Sequence, residues 1–136
     1  MKLVKSRIGV VGALTLLVSA GYMVLNAQTA PSVKRTVLLK QDMTIPGREA
    51  VMAHVELPPG AAEGRHTHPA EVFVFVEEGT ISQYIEGKPT ATLKAGDFFY
   101  VAPGQVHEAT NSGSGTAKLS AVFVAEKGKP LTTQVQ

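Results

Sequence analysis

Glycine and proline cut this chain into short pieces, and that punctuation restricts it to folds assembled from short segments. The breaks fall at Pro46-Gly47, Pro58-Pro59-Gly60, Glu78-Gly79, Gly87-Lys88-Pro89, Ala95-Gly96-Asp97, Pro103-Gly104 and Asn111-Ser112-Gly113. Between them lie runs rich in Val, Phe, Tyr and Thr, residues that suit a pleated, half-buried surface. They predict strands over Thr36–Lys40, Val51–Leu57, Val72–Val76, Thr80–Ile85, Thr90–Leu93, Phe98–Val101, Val106–Ala109 and Lys118–Val124. No segment of this stretch carries a helical period. Strands this short, with turn signals about every 8–12 residues, predict an all-β sandwich or barrel in one domain. Phe73 and Phe75 alternate with Val72, Val74 and Val76, which predicts a strand buried on both faces. Phe98, Phe99 and Tyr100 are expected in the core, and Glu126–Gln136 reads as an edge segment available to a partner.

The N-terminus follows another logic. Lys2, Lys5 and Arg7 precede an uncharged, mostly apolar run from Ile8 to Leu25, closed by Asn26-Ala27-Gln28. A basic start, an apolar middle and a small residue before a polar stretch describe a secretory signal peptide over residues 1–27. The run is long enough that an uncleaved anchor is the alternative. Residues 28–35 then form a linker or edge segment, and 36–136 the folded domain. The domain is expected in the periplasm or outside the cell, or anchored facing the periplasm.

Charge follows from that division. Of the 13 basic residues three lie in the leader, leaving ten against 11 acidic ones. With no basic cluster left, neither nucleic acid nor a membrane surface is an expected partner, apart from the possible anchor. The chain has no cysteine. An exported domain of this size without disulfides depends on its apolar core, helped by a metal or by dimerisation. Any metal must be held by nitrogen and oxygen donors.

His66 and His68 are two residues apart. On a strand that spacing puts both imidazoles on one face, roughly 6–7 Å apart along the backbone. The surrounding pattern resembles the cupin superfamily. Its first motif runs Gly, five residues, His-x-His, three or four residues, Glu, six residues, Gly; here Gly60, His66, His68 and Gly79 take those places. Its second runs Gly, five residues, Pro-x-Gly, two residues, His, three residues, Asn; here Gly96, Gly104, His107 and Asn111 are correctly spaced, with Ala102 in place of the proline. The resemblance covers Gly60–Asn111. It implies an all-β double-stranded β-helix, the cupin jelly-roll barrel. It also implies one divalent metal ion (Fe, Mn, Ni or Zn) held by His66, His68, His107 and a glutamate.

The glutamate breaks the pattern. Position 72 is Val, and the nearest carboxylate is Glu71, one residue early. Residues 66, 68 and 72 share a face of a regular strand, whereas 71 points away, so Glu71 ligates only if a bulge near Pro69 re-aims it. Otherwise the ion has three protein ligands. His54 is expected to be a hydrogen-bonded structural histidine, Gln83 or Tyr84 to line the cavity, and Asn111 to shape a turn. The implied function is a metal-dependent, dioxygenase-like enzyme acting on a small organic molecule; the alternative is a non-catalytic binder of a small ligand or of the metal. A homodimer is expected, with Val33–Lys40 as a candidate edge.

Overall fold

The structure, a computed structural model, describes residues 29–136. The leader expected over residues 1–27 lies outside the described residues. Ten strands and no helix are found among the described residues. They are β1 (Lys34–Asp42), β2 (Arg48–Leu57), β3 (His66–Thr67), β4 (Ala70–Glu78), β5 (Thr80–Ile85), β6 (Ala91–Lys94), β7 (Phe98–Val101), β8 (His107–Asn111), β9 (Ala117–Glu126) and β10 (Thr133–Gln134). Two antiparallel sheets result, ordered β1-β2-β9-β4-β7 and β10-β3-β8-β5-β6.

Alternation builds the core. In β9 every second residue from Ala117 to Ala125 is buried, and β2 and β4 bury Val51, Ala53, Val55, Leu57, Val72, Val74 and Val76 in the same way. The second sheet answers with Ile81 and Ile85 from β5 and Ala109 from β8. The side chains of the two inner faces therefore meet in one apolar layer, as in any face-to-face sandwich. The β4–β5 turn closes tightly on this layer. Gly79 has φ +85°, and a Cβ there would stand 2.8 Å from Cα of Ala117, so no larger residue fits. Asn111 acts as a turn former: its amide donates to Leu57 O at 2.7 Å and Gly115 O at 2.8 Å, and its Oδ1 accepts from Gly113 N.

All eight expected strands form. The two-residue strands β3 and β10 were not among them; the C-terminal tail, expected as an edge segment available to a partner, does form an edge strand. That tail pairs with its own chain, Thr133 against Thr67 and Gln134 against His66. The aromatic residues also depart from expectation. Phe73 and Phe75 lie about half exposed on the outer face of β4, Tyr100 is exposed beside them, and Phe98 is 80% exposed. Only Phe99 of that run packs against the core. An uninterrupted apolar run suggests burial on both faces, but β4 belongs to a two-layer sandwich and has one inner face, which the valines fill.

Candidate metal centre

His66 and His107 are direct cross-strand partners on β3 and β8. His68 follows on the short link between β3 and β4, before Pro69. The three rings converge, with centroid separations of 4.2 Å (His66–His107), 4.8 Å (His66–His68) and 4.9 Å (His68–His107). One nitrogen from each lies within 4.8 Å of the others, and all three residues are buried.

Each ring has one nitrogen committed to the backbone. His66 Nδ1 donates to Gly64 O at 2.7 Å, His68 Nδ1 to Leu131 O at 2.7 Å, and His107 Nδ1 to Gln105 O at 3.0 Å. A carbonyl oxygen only accepts, so each Nδ1 carries the proton and each Nε2 keeps a free lone pair. Burial favours the neutral ring at two of them: it lowers His68 from 6.5 to about 4, and His107 in the same direction. The neighbouring imidazoles push the same way. Three imidazole donors facing one another in an apolar interior fit a divalent transition metal.

The carboxylate expected beside them is elsewhere. Glu71 is exposed on the outer face of β4, opposite Val124. The bulge that would turn it inward does not occur near Pro69; alternation in β4 is regular from Ala70 to Val76, and its register shift lies beyond, between Val76 and Glu78. His54 also faces outward, with Glu77 at 3.3 Å and Glu56 at 3.7 Å. Neither Gln83 nor Tyr84 lines the cavity. Gln83 is buried on the inner face of β5, where its amide donates to Tyr84 O at 3.1 Å and its Oε1 has no partner among the described residues.

The histidines form one wall of a cavity of about 100 Å³ between the sheets. Val55, Val72, Val74, Leu119 and Phe123 are among the apolar residues of the other walls, and Phe123 sets its ring edge-on to His68 at 5.0 Å. Four contributors had no clear sequence signal. Leu131 and Thr132 arrive from the C-terminal tail, and Arg35 and Glu63 meet on the wall as an ion pair of 3.1 Å. Glu63 sits inside the first motif's five-residue gap, where the pattern leaves residue identity open.

A sequence model of the cupin domain matches residues 53–124, more than half of the chain. The chain belongs to the cupin family. Structural comparison agrees on the fold. A double-stranded β-helix protein of Klebsiella pneumoniae superposes with a TM-score of 0.66 at 24% identity, covering 80% of this cupin and 89% of that chain. Oxalate oxidase in complex with glycolate gives 0.63 at 22%, covering 80% and 58%. The DMSP lyase of Ruegeria pomeroyi gives 0.63 at 21%, covering 76% and 51%. This cupin thus spans little more than half of either enzyme, and at these identities the likeness is one of fold. No curated protein matches it in sequence.

Proposed function

We propose that this cupin holds one divalent metal ion on His66, His68 and His107 and acts on a small organic molecule as a metal-dependent, dioxygenase-like enzyme. The observation that carries the reading is the set of three Nε2 lone pairs left free and convergent by three Nδ1–H···O=C bonds. Bound there, the ion would supply Lewis acidity or redox chemistry, with coordination positions open beyond the three nitrogens. The chain's own residues do the rest. The backbone carbonyls hold the rings in one orientation, and the valine and Phe123 walls keep the donors out of bulk water. The enzymes among the structural neighbours support the idea that this fold suits work on small molecules, although fold alone does not confer an activity. The apolar wall also suits a non-catalytic ligand binder, which the experiment distinguishes. An exported location is part of the same reading; a mature N-terminus at or near Gln28, read by mass spectrometry, would support it.

Metal analysis of protein purified from its native compartment should find one transition metal per chain. His66→Ala, His68→Ala and His107→Ala should each lose most of it, while His54→Ala keeps it. Oxygen uptake with a panel of small phenols and acids then separates enzyme from binder. Full metal content with no turnover across the panel would favour the binder, and a His107→Ala protein that loads like the parent would refute the shared site.

A further inference from the structure

Arg35 and Glu63 are the only charged side chains, apart from the histidines, that the cavity presents among the described residues. Arg35 lies on β1 opposite Val55, itself a cavity wall, so its side chain enters from the inner face of the sheet edge. Glu63 arrives from the loop before β3. The two are unequally placed: Glu63 is 12% exposed and Arg35 45%, so the acid sits deep and the base lies at the mouth. Their contact is a single bond from Nη2 to Oε1. A guanidinium has five N–H donors in a planar fork, and one bond leaves an edge of that fork available.

We propose that Arg35 anchors a small carboxylate ligand whose other end faces the three histidines, in competition with Glu63, which pairs the guanidinium when no ligand is bound. This rests on reading the cavity as a small-molecule site. An otherwise apolar pocket discriminates chiefly through its few polar groups. A lone guanidinium selects a planar anion, since two parallel N–H···O bonds to a carboxylate match its geometry. Glu63 neutralises and orients Arg35 in the empty pocket, which avoids leaving a cation unpaired at an apolar wall. Size adds a limit. A cavity of about 150 Å³ is known to hold benzene, so the roughly 100 Å³ here takes only about four heavy atoms, with the carboxylate on Arg35 lying at the mouth. The ligand class is therefore a short-chain mono- or dicarboxylate.

Malonate and its neutral counterpart malonamide test this by calorimetry or NMR titration, in zinc-loaded and in chelator-stripped protein. Malonate should bind at least tenfold more tightly than malonamide in both forms. Arg35→Gln should remove that preference, lowering malonate affinity tenfold or more while leaving malonamide and zinc content unchanged. Arg35→Lys keeps the charge without the fork and should fall between. Glu63→Gln, which removes the competing carboxylate, should strengthen malonate binding. Equal binding of the two probes would overturn the proposal, as would a folded Arg35→Gln protein that binds malonate like the parent; either result would leave the zinc site standing. Conversely, an Arg35-dependent preference for malonate in a protein that binds none of zinc, iron(II), manganese(II) or nickel(II) would refute the metal site and leave the anchor intact. Should Arg35→Gln not fold, the Arg35→Lys and Glu63→Gln proteins decide the matter, and unaltered malonate affinity in both would overturn it.

Discussion

His68 is the residue whose surroundings say most about the site. Its Nδ1 is tied to Leu131 O, Phe123 stands edge-on to its ring, and burial brings it to about 4 from an ordinary 6.5. That shift has a consequence for the metal-free protein. Above pH 6.5 the imidazole is neutral in both folded and unfolded chains and stability does not depend on it. Between 6.5 and about 4 the unfolded chain takes up a proton that the folded one refuses, so stability falls as the pH falls through that window. Below it both states are protonated and the loss is complete. His107, lowered for the same reason, acts in the same direction. Chelator-stripped protein should therefore melt at progressively lower temperature from pH 7 to 4.5, and His68→Gln should flatten that dependence. An unchanged melting temperature across the window would contradict the account. Glu71 provides the complementary test at this scale. Because it faces solvent, Glu71→Gln should change metal affinity by less than tenfold, about 1.4 kcal/mol, in a side-by-side titration with the parent.

At the scale of elements, the C-terminal tail shows how a short segment governs a site. β10 adds only two residues to the second sheet, yet the tail supplies the carbonyl that orients His68 and the strand edge that pairs His66. Ending the chain after Lys129 should lower metal affinity on the order of 10–100-fold, the usual cost of losing an orienting partner of a ligand. The strands of the first sheet should remain, as read by circular dichroism. Retention of full affinity would mean the tail is only a cover. This dependence was not legible in the sequence, because a two-residue strand has no period to detect and Leu131 resembles any apolar tail residue. The eight longer strands were legible, since valine and aromatic runs between Gly/Pro breaks leave few other readings. Parity alone also placed Glu71 away from the histidines. Parity failed for β1, whose register shifts between Val37 and Leu39. Arg35 and Val37 face the cavity before the shift, and Leu39 lies opposite the exposed Met52 after it. Without the pairing to β2, nothing distinguishes Arg35 from a solvated arginine.

The outer face of the first sheet carries a row of exposed apolar side chains. Register places Leu39, Met52, Val122, Phe73 and Tyr100 in one row that crosses all five strands of the first sheet. Phe75 and Phe98 stand opposite each other in the next row, and Phe73 and Tyr100 touch ring to ring at 5.4 Å. Contiguous exposed patches of this kind mark association sites. Five strands about 4.8 Å apart and some 20 Å of strand length make a face of roughly 500 Å², smaller than the ~800 Å² of accessible surface that each partner buries in a standard interface, so the contact is a small one. We propose that a second copy of this chain covers it, sheet against sheet about a two-fold axis, since one patch then satisfies both partners. The apolar row is self-complementary, and the charged groups of this face, Glu71 and the His54–Glu77 pair, lie to either side of it. Sedimentation or light scattering should find a dimer at micromolar concentration. Phe73→Glu, which sets a carboxylate in the centre of the row, should give a folded monomer that still loads metal, because the inner face and the histidines are untouched. Pairing through the β1 edge, the arrangement the sequence suggested, would survive that substitution. A monomeric parent, or a Phe73→Glu dimer as tight as the parent's, would exclude the face-to-face arrangement.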